Sequence, residues 1–244
     1  DAEPRVALVH ACALAEFLPA SAERPQMPLV LVAAERAATR GVRCLQWRDW
    51  LHGAGARLAP AETSPFDTAF FLYTSGSGGP PKAAVHQHKD MLATSRNYAH
   101  GVLGLRADDL LFSVSKLFFA YGLGNGMYFP LSAGAQTLLN PERTQVETVL
   151  ELVRRRRPTV FFAVPTLYAA ILREAEHARG QADFSSLRLA VSAGETLPAE
   201  IFARFQRRFG LQILDGIGST EMLHVFLSSR PGQAKAGGCG VPVA

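Results

Sequence analysis

Short apolar runs alternate with amphipathic segments along most of the chain, which is the pattern typical of an α/β protein. Near the start, Val6–Val9 and Leu29–Ala33 are apolar, and the segment Ala11–Leu18 between them has the periodicity of a helix. Later apolar runs predict strands at Leu110–Val114, Ala135–Leu139, Thr159–Val164, Leu187–Ser192 and Gln212–Asp215. Amphipathic segments predict helices at His88–Leu103, Thr144–Arg155, Pro165–Ala178 and Pro198–Phe209. Because strands and helices alternate, we expect largely parallel sheets flanked by helices.

Length and composition allow one large domain or two small ones, since the chain has 244 residues of which 48% are hydrophobic. The segment Ala54–Pro65 is the best candidate for a linker or an exposed crossing. We therefore expect a partial first α/β lobe in residues 1–60 and a second α/β lobe in residues 61–244.

Charge and cysteine content narrow the class of protein. The net charge is +4, and the cationic run Arg154–Arg157 follows a predicted helix, so we interpret it as a solvated helix end rather than a nucleic-acid contact. The cysteines Cys12, Cys44 and Cys239 are widely separated, which predicts neither a zinc site nor a disulfide framework and suits a reducing cytoplasm. No apolar run is long enough to span a bilayer, and the acidic start Asp1–Glu3 lacks the pattern of a secretory signal. We expect a cytoplasmic protein without a membrane partner.

A polar loop that ends in a lysine follows the aromatic run Thr68–Tyr73, which predicts a buried strand. Residues Thr74–Gly79 are small, hydroxylated or glycine, and Lys82 ends the loop, so backbone N–H groups, hydroxyls and the lysine ammonium could together hold phosphate. The loop is not a Walker A motif, because Pro81 precedes the lysine and Ala83 follows it. Taken alone, such a turn is more often an ordinary connector.

Two further motifs strengthen the phosphate interpretation. They are Ser192–Glu195 and Asp215–Glu221, and together with the lysine-ended loop they resemble the signatures of the adenylate-forming superfamily of acyl-CoA synthetases, luciferases and peptide-synthetase adenylation domains. The loop departs from the pattern of that superfamily at two positions, with Gly78 in place of threonine and Ala83 in place of glycine.

Within the superfamily, the runs Lys116–Asn125 and Glu221–Ser228 look like those of benzoate–CoA ligases and related aryl-acid ligases. The resemblance covers residues 66–244 more closely than the first 60. It implies a part of the large N-terminal domain of an adenylate-forming enzyme. It also implies a reaction in which a carboxylate attacks the α-phosphorus of ATP, giving an acyl-adenylate and pyrophosphate, before the thiol of coenzyme A displaces AMP.

The resemblance also implies a set of site residues. Nucleotide-binding residues would be Thr74, Ser75, Gly76, Ser77, Gly78, Gly79, Lys82, Gly194, Glu195, Asp215, Gly216, Ile217 and Thr220. Catalytic roles would fall to Lys82, Thr220 and Glu221, with Glu221 also holding Mg²⁺. The pocket for the carboxylate substrate would be lined by Ala120, Tyr121, Gly218, His224 and Val225.

Ordinary structural roles stay open for several of these residues. Glu221 could be an exposed acid, His224 a structural histidine, and Tyr121 or Phe119 part of the core. No charge lies near Ala120, which favours an acid without an α-ammonium group. Two rival functions remain: a ligase for another carboxylate, such as 4-hydroxybenzoate or a fatty acid, and a non-catalytic nucleotide-binding relative.

Several parts that the resemblance requires are expected beyond Ala244. These are an aspartate that grips the ribose, a hinge, and a small C-terminal domain with a catalytic lysine. We therefore interpret the chain as a segment with little or no catalytic activity by itself. The implied partners are an aromatic carboxylate, ATP and coenzyme A. The sequence does not determine the oligomeric state, and it allows a homodimer.

Overall fold

The structure is a computed structural model that describes residues 4–22, 29–32, 44–52, 55, 57–74, 80–177 and 182–243. The chain divides into two compact units, Asp1–Glu62 and Thr63–Ala244. Residues 57–64, at the division, form neither helix nor strand.

The first unit contains a parallel sheet of the strands β1 (Ala7–His10), β2 (Leu29–Val32) and β3 (Cys44–Gln46), in that order. A short 3₁₀ turn leads into helix α1 (Leu14–Ala22), and helix α2 (Trp47–His52) follows β3. Val9 is the buried centre of this unit among the described side chains, and α1 packs against it. The predicted strand, helix and strand are confirmed, with the helix shifted by a few residues toward the C-terminus.

The second unit begins with an antiparallel hairpin and a helix. The hairpin pairs β4 (Thr68–Thr74) with β5 (Lys82–Gln87), and α3 (His88–Thr94) follows and continues as a π-helix over Ser95–His100. A capping box starts α3, because Asp90 accepts a hydrogen bond from the Gln87 backbone N–H at 2.9 Å.

A seven-stranded sheet forms the body of the second unit. Its strands are β6 (Leu110–Ser113), β7 (Gln136–Leu138), β8 (Val160–Ala163), β9 (Leu189–Ser192), β10 (Ile213–Gly218), β11 (Val225–Ser228) and β12 (Val241–Pro242). Their order is β12-β11-β10-β9-β8-β6-β7, parallel from β7 to β10 and antiparallel at β11 and β12. Every residue of β8 and β9 is buried, as expected for central parallel strands with both faces covered. The mostly parallel α/β fold is confirmed.

Helices flank this sheet. They are α4 (Ala120–Leu123), joined by a π-helical turn at Gly124–Tyr128 to α5 (Phe129–Ala133), then α6 (Val146–Arg156), α7 (Pro165–His177) and α8 (Ala199–Phe209). The apolar stripes of α6, α7 and α8 are buried in one core cluster, where Tyr168 of α7 donates a hydrogen bond to the Val191 carbonyl at 2.9 Å. The first residue of α7 is Pro165, whereas Pro198 is the N-cap of α8 and precedes its first turn.

A buried ion pair connects the ends of three strands of this sheet. The Asp109 carboxylate accepts hydrogen bonds from the Arg188 guanidinium and from the Thr159 hydroxyl, the latter at 2.7 Å. The Thr159 oxygen in turn accepts the Leu110 backbone N–H at 3.0 Å. Burial alone would raise the pKa of Asp109, but these hydrogen bonds outweigh it and lower the pKa below the ordinary value.

Two expectations about the surface can be compared with the structure. The arginine run ends α6, where Arg154 pairs with Glu151 at 2.7 Å and Arg157 pairs with Asp183 at 3.1 Å, so it is a solvated helix end. The prediction that the aromatic run forms a buried strand is wrong, because alternate side chains of β4 face solvent, and Phe71 is 41% exposed.

None of the helices in the described ranges has the length and apolar character that crossing a bilayer requires.

Candidate active site

A cavity of about 380 Å³ lies at the carboxyl ends of the parallel strands, and we call it the strand-end cavity. Its wall is contributed by segments that directly follow β6, β8, β9 and β10, and by α4. The lining residues are Ser115, Phe119, Ala120, Tyr121, Val164, Ala193, Gly194, Gly218, Ser219, Thr220, His224 and Val225. This is the place where open α/β sheets bind ligands, because the loops that leave the strands diverge there.

The structure brings together seven of the residues predicted from the sequence. All of the predicted substrate-lining residues border this cavity, namely Ala120, Tyr121, Gly218, His224 and Val225, and the predicted nucleotide-binding residues Gly194 and Thr220 border it as well. They come from segments more than 100 residues apart in sequence, so only the fold makes them neighbours.

His224 is almost completely buried in the wall of the strand-end cavity, with 2% of its surface exposed. Its Nε2 lies 3.3 Å from the Tyr121 carbonyl oxygen. Since a carbonyl can only accept, Nε2 carries the hydrogen and Nδ1 keeps a lone pair without a hydrogen-bond partner. Burial lowers the pKa of His224 to about 3, so the imidazole is neutral near pH 7.

Aromatic rings surround His224 on several sides. The ring centroids of Phe129, Tyr98 and Tyr121 lie 4.5, 5.3 and 5.4 Å from that of His224. Gly124 allows this packing, because a Cβ there would lie 2.5 Å from His224 Cδ2. The cavity therefore has a flat, uncharged wall that suits an aromatic ring better than an ion.

Several buried polar atoms of Tyr121 and Asn125 lack a hydrogen-bond partner of ordinary geometry. The Tyr121 hydroxyl is buried, and it approaches the Asn125 side chain without reaching the geometry of an ordinary hydrogen bond. Both polar atoms of Asn125 also lack partners of ordinary geometry, and Asn125 is fully buried. Desolvation raises the pKa of Tyr121, which keeps its hydroxyl protonated.

The turn between β10 and β11 separates the strand-end cavity from a second cavity. This second cavity, which we call the helix-side cavity, has a volume of about 280 Å³. It is lined by His86, Asp90, Ala93, Thr94, Asn97, Tyr98, Glu221, Met222, Leu223, Val225, Phe226 and Val243. Thr220 borders the first cavity and Glu221 the second, while Val225 borders both.

Glu221 is exposed at the rim of the helix-side cavity. Hydrogen bonds from its own backbone N–H and from the Ser219 hydroxyl lower the pKa of its carboxyl, so it is ionised at neutral pH. The described residues contain no group of three or more His, Cys, Asp or Glu side chains that could hold a metal. A single ionised carboxylate nevertheless fits Mg²⁺, because this cation keeps several waters and is often shared between one protein carboxylate and substrate phosphates.

Other predicted nucleotide-binding residues lie outside the walls of both cavities. Thr74 and Lys82 pair at the loop end of the hairpin, where the Thr74 hydroxyl donates to the Lys82 carbonyl at 3.5 Å. The predicted residues Ser75, Gly76, Ser77, Gly78 and Gly79 lie outside the described residues.

The remaining predicted residues follow β9 or belong to β10. Glu195 accepts hydrogen bonds from the Thr166 backbone N–H and hydroxyl at 3.2 and 3.3 Å, which ties the loop after β9 to the start of α7. Burial raises the pKa of Asp215 in β10. Gly216 is buried and pairs with β11, while Ile217 is 44% exposed.

Sequence reasoning missed several residues of the two cavities. Val164 and Ala193 immediately follow β8 and β9, so the rule that ligands bind at strand ends could have identified them. The same rule applies to Ser219, which immediately follows β10, whereas Ser115 lies two residues after β6 and outside the motifs. His86 also went unnoticed, since a histidine in a short strand carries no sequence signal for a site.

Comparisons with known proteins agree with this architecture. The family model described as AMP-binding enzyme matches residues 1–244. The chain is 44% identical over 244 residues to the benzoate–CoA ligase of Thauera aromatica, covering all of this chain and 45% of that protein. It is 41% identical over 235 residues to the 4-hydroxybenzoate–CoA/benzoate–CoA ligase of Rhodopseudomonas palustris, covering 95% of this chain and 42% of that protein.

Solved structures give the same result. An anthranilate CoA ligase in complex with anthranoyl-AMP superposes with a TM-score of 0.88 at 35% identity, covering 98% of this chain and 45% of that one. A benzoate CoA ligase from Burkholderia xenovorans superposes with a TM-score of 0.82 at 38% identity, covering 98% of this chain and 46% of that one. The chain thus spans less than half the length of each of these relatives.

Proposed function

Because the chain belongs to the family of AMP-binding enzymes, we propose that its protein is an acid–thiol ligase that activates a benzoate-like acid with ATP. The acid would form an acyl-adenylate and then a thioester with coenzyme A. The named relatives are CoA ligases for benzoate and 4-hydroxybenzoate, which supports this class of substrate. We propose residues 1–60 as part of a first lobe and residues 61–244 as the lobe that binds ATP and the acid. The free thiols of Cys12 and Cys239 accord with a cytoplasmic location.

The observation that carries the proposal is the strand-end cavity with its uncharged aromatic wall. A benzoate ring would lie against Tyr121 and the neutral imidazole of His224. Its carboxylate would then face the hydroxyl groups of Ser219 and Thr220, which border the same cavity. None of the described residues that line this cavity is an acid, so the ammonium group of an amino acid would have no partner.

The first half of the reaction needs alignment rather than a protein nucleophile. A carboxylate oxygen attacks the α-phosphorus as the bond to pyrophosphate breaks, and the two reactants are anions that repel each other. Lys82 would offset charge on the outer phosphates, and the Thr220 hydroxyl would donate a hydrogen bond to the α-phosphate. Mg²⁺ held by Glu221 would neutralise phosphate charge when it is bound.

In the second half, the thiol sulfur of coenzyme A attacks the carbonyl carbon of the acyl-adenylate, and AMP leaves. The apolar wall of the strand-end cavity would hold the ring during both halves and keep water away from the reactive mixed anhydride. Neutral His224 is suited to this task, because it presents no charge that would attract water or a second anion.

The direct test is ATP–pyrophosphate exchange by the full-length protein that carries this chain. We expect exchange with benzoate to exceed exchange with octanoate or phenylalanine by at least about tenfold, since pocket shape and an unpaired ammonium both select against the latter. Residues 1–244 alone should show little or no exchange.

Each alternative gives a different result in this assay. If the protein prefers 4-hydroxybenzoate, the proposed reaction stands and only the accepted ring substituent differs. If it prefers octanoate, the proposal of an aryl-acid pocket is refuted. Binding of ATP without exchange for any acid would indicate a non-catalytic relative, for which the substitutions Gly78 and Ala83 in the phosphate loop are the supporting observation.

A further inference from the structure

His86 is a buried histidine outside the three signature motifs. It lies on β5 with 2% of its surface exposed, and its ring stacks on Phe70, its partner in the hairpin register, with centroids 5.3 Å apart. It lines the helix-side cavity together with Glu221. A buried polar ring in a short hairpin strand needs a reason, because a hydrophobic residue would pack there at lower cost.

The hydrogen bonds of His86 supply that reason. Its Nε2 lies 2.8 Å from the backbone carbonyl oxygen of Thr220, a residue 134 positions later in the chain. Since the carbonyl can only accept, Nε2–H is the donor. On the opposite side of the ring, Nδ1 lies 3.5 Å from the Asp90 carboxylate, which the capping box of α3 holds in place.

The Thr220 carbonyl has a second donor within its own turn. The Leu223 backbone N–H donates to it at 3.1 Å, and Leu223 has a left-handed φ of 64° that few residues other than glycine adopt. The turn therefore keeps its internal hydrogen bond without His86. The bond from His86 instead links this turn to the hairpin that carries Lys82.

We propose that His86 is a positioning residue that holds the Thr220–Glu221 turn at a defined distance from the lysine-bearing hairpin. This inference rests on the proposed function, in which Lys82, Thr220 and Glu221 act on the phosphates of ATP. Two elements that must contact one triphosphate have to keep their separation, and a short hydrogen bond to a buried ring limits that separation better than exposed side chains do.

The test compares His86→Met with His86→Gln in the full-length protein. Methionine and glutamine have the same chain length, but only glutamine carries an amide N–H near the position of Nε2. We expect His86→Met to lower kcat of ATP–pyrophosphate exchange about tenfold and to raise KM for Mg·ATP, with KM for the aromatic acid changed less than about twofold. His86→Gln should retain kcat within about threefold of the wild type, because its donor is restored.

A matched pair at another histidine controls for general effects. His100 is exposed, its Nε2 lies 3.2 Å from the Ser132 hydroxyl, and neither residue lines either cavity. The substitutions His100→Met and His100→Gln should both leave kcat and KM near the wild-type values. Should His86→Met not fold, His86→Asn replaces it, since its shorter amide cannot reach Thr220 and should give the same kinetic loss.

The outcomes separate this inference from the proposed function. If His86→Met shows the same exchange activity as the wild type, the positioning role is overturned and the ligase proposal stays intact. Equal losses in the methionine and glutamine variants would overturn it too, because ring packing rather than the donor would then matter. Absence of exchange in the wild type with every acid would instead refute the proposed function.

Discussion

Acidification should destabilise this protein through one buried histidine, His224. Its pKa is about 3 in the folded protein, because burial disfavours the charged ring more than the hydrogen bond to the Tyr121 carbonyl favours it. In the unfolded chain the pKa returns to about 6.5. As the pH falls through 6.5, the unfolded chain binds a proton that the native structure excludes, so stability falls until the pH approaches the folded value.

The size of the effect follows from the two pKa values. Integrating the difference in bound protons between pH 7 and pH 5 gives a loss of about 2 kcal/mol in the free energy of unfolding for this group. A loss of this size is a substantial fraction of the usual net stability of a domain, roughly 5–15 kcal/mol.

The assay is urea unfolding of the wild type and of His224→Phe at pH 7, 6 and 5. Phenylalanine keeps an aromatic ring among the surrounding rings but cannot titrate, and the remaining histidines are common to both proteins. We expect the wild type to lose about 2 kcal/mol more than the variant between pH 7 and 5. Comparing pH dependences removes the direct cost of the substitution.

A spectroscopic measurement tests the same group without unfolding. In protein labelled with ¹⁵N-histidine, the His224 signals should stay those of a neutral ring protonated at Nε2 down to pH 5. Equal pH dependences of stability in the two proteins, or titration of His224 near pH 6.5, would refute the burial argument and with it the neutral wall of the strand-end cavity.

Two substitutions test the packing around the sheet and the cavity. Asp109→Ala breaks the buried ion pair and should lower the free energy of unfolding by about 3 kcal/mol in urea titrations, whereas Asp108→Ala, in an exposed pair, should cost less than about 0.5 kcal/mol. Gly124→Ala places a methyl group against His224 and should cost about 1–3 kcal/mol and raise KM for the aromatic acid. Gly238→Ala, where the nearest contact is an ordinary 3.6 Å, should change neither quantity, and equal effects of the two alanines would contradict this reasoning.

The parallel sheet could be predicted because its central strands are uninterrupted apolar runs. Residues 160–163 and 189–192 are buried on both faces, so their hydrophobic character is visible without any partner strand. The strand β5 cannot be predicted in this way, because Lys82–Gln87 mixes small, charged and polar residues and lacks a clear alternation. The strand β11 is only four residues long and lies inside the motif run Glu221–Ser228, so the sequence indicates a motif there rather than a strand.

Some of the residues that line the strand-end cavity can also be predicted, but from motifs rather than from hydrophobic runs. Resemblance to known motifs selected Ala120, Tyr121 and His224, and the structure places all three in one wall. What the sequence cannot give is the electrostatic state of His224, because that depends on rings from other elements that exclude water from it. Nor could it give the bond between His86 and Thr220, since residues so far apart share no local pattern.

The turn between β10 and β11 contributes residues to the walls of both cavities, so its conformation affects both. It follows Gly218, the last residue of β10, where a Cβ would lie 2.8 Å from the His224 carbonyl oxygen, and it includes the left-handed Leu223. Such a conformation persists only where the surroundings determine it, and here the hydrogen bond from the Leu223 backbone N–H to the Thr220 carbonyl and the pairing of β10 with β11 do so. Because Thr220 faces one cavity and Glu221 the other, a shift of this turn would alter both walls at once. Under the proposed function an acid and a triphosphate would have to be held in one arrangement, and the hydrogen bond from His86 in the distant hairpin would help to keep this turn in place.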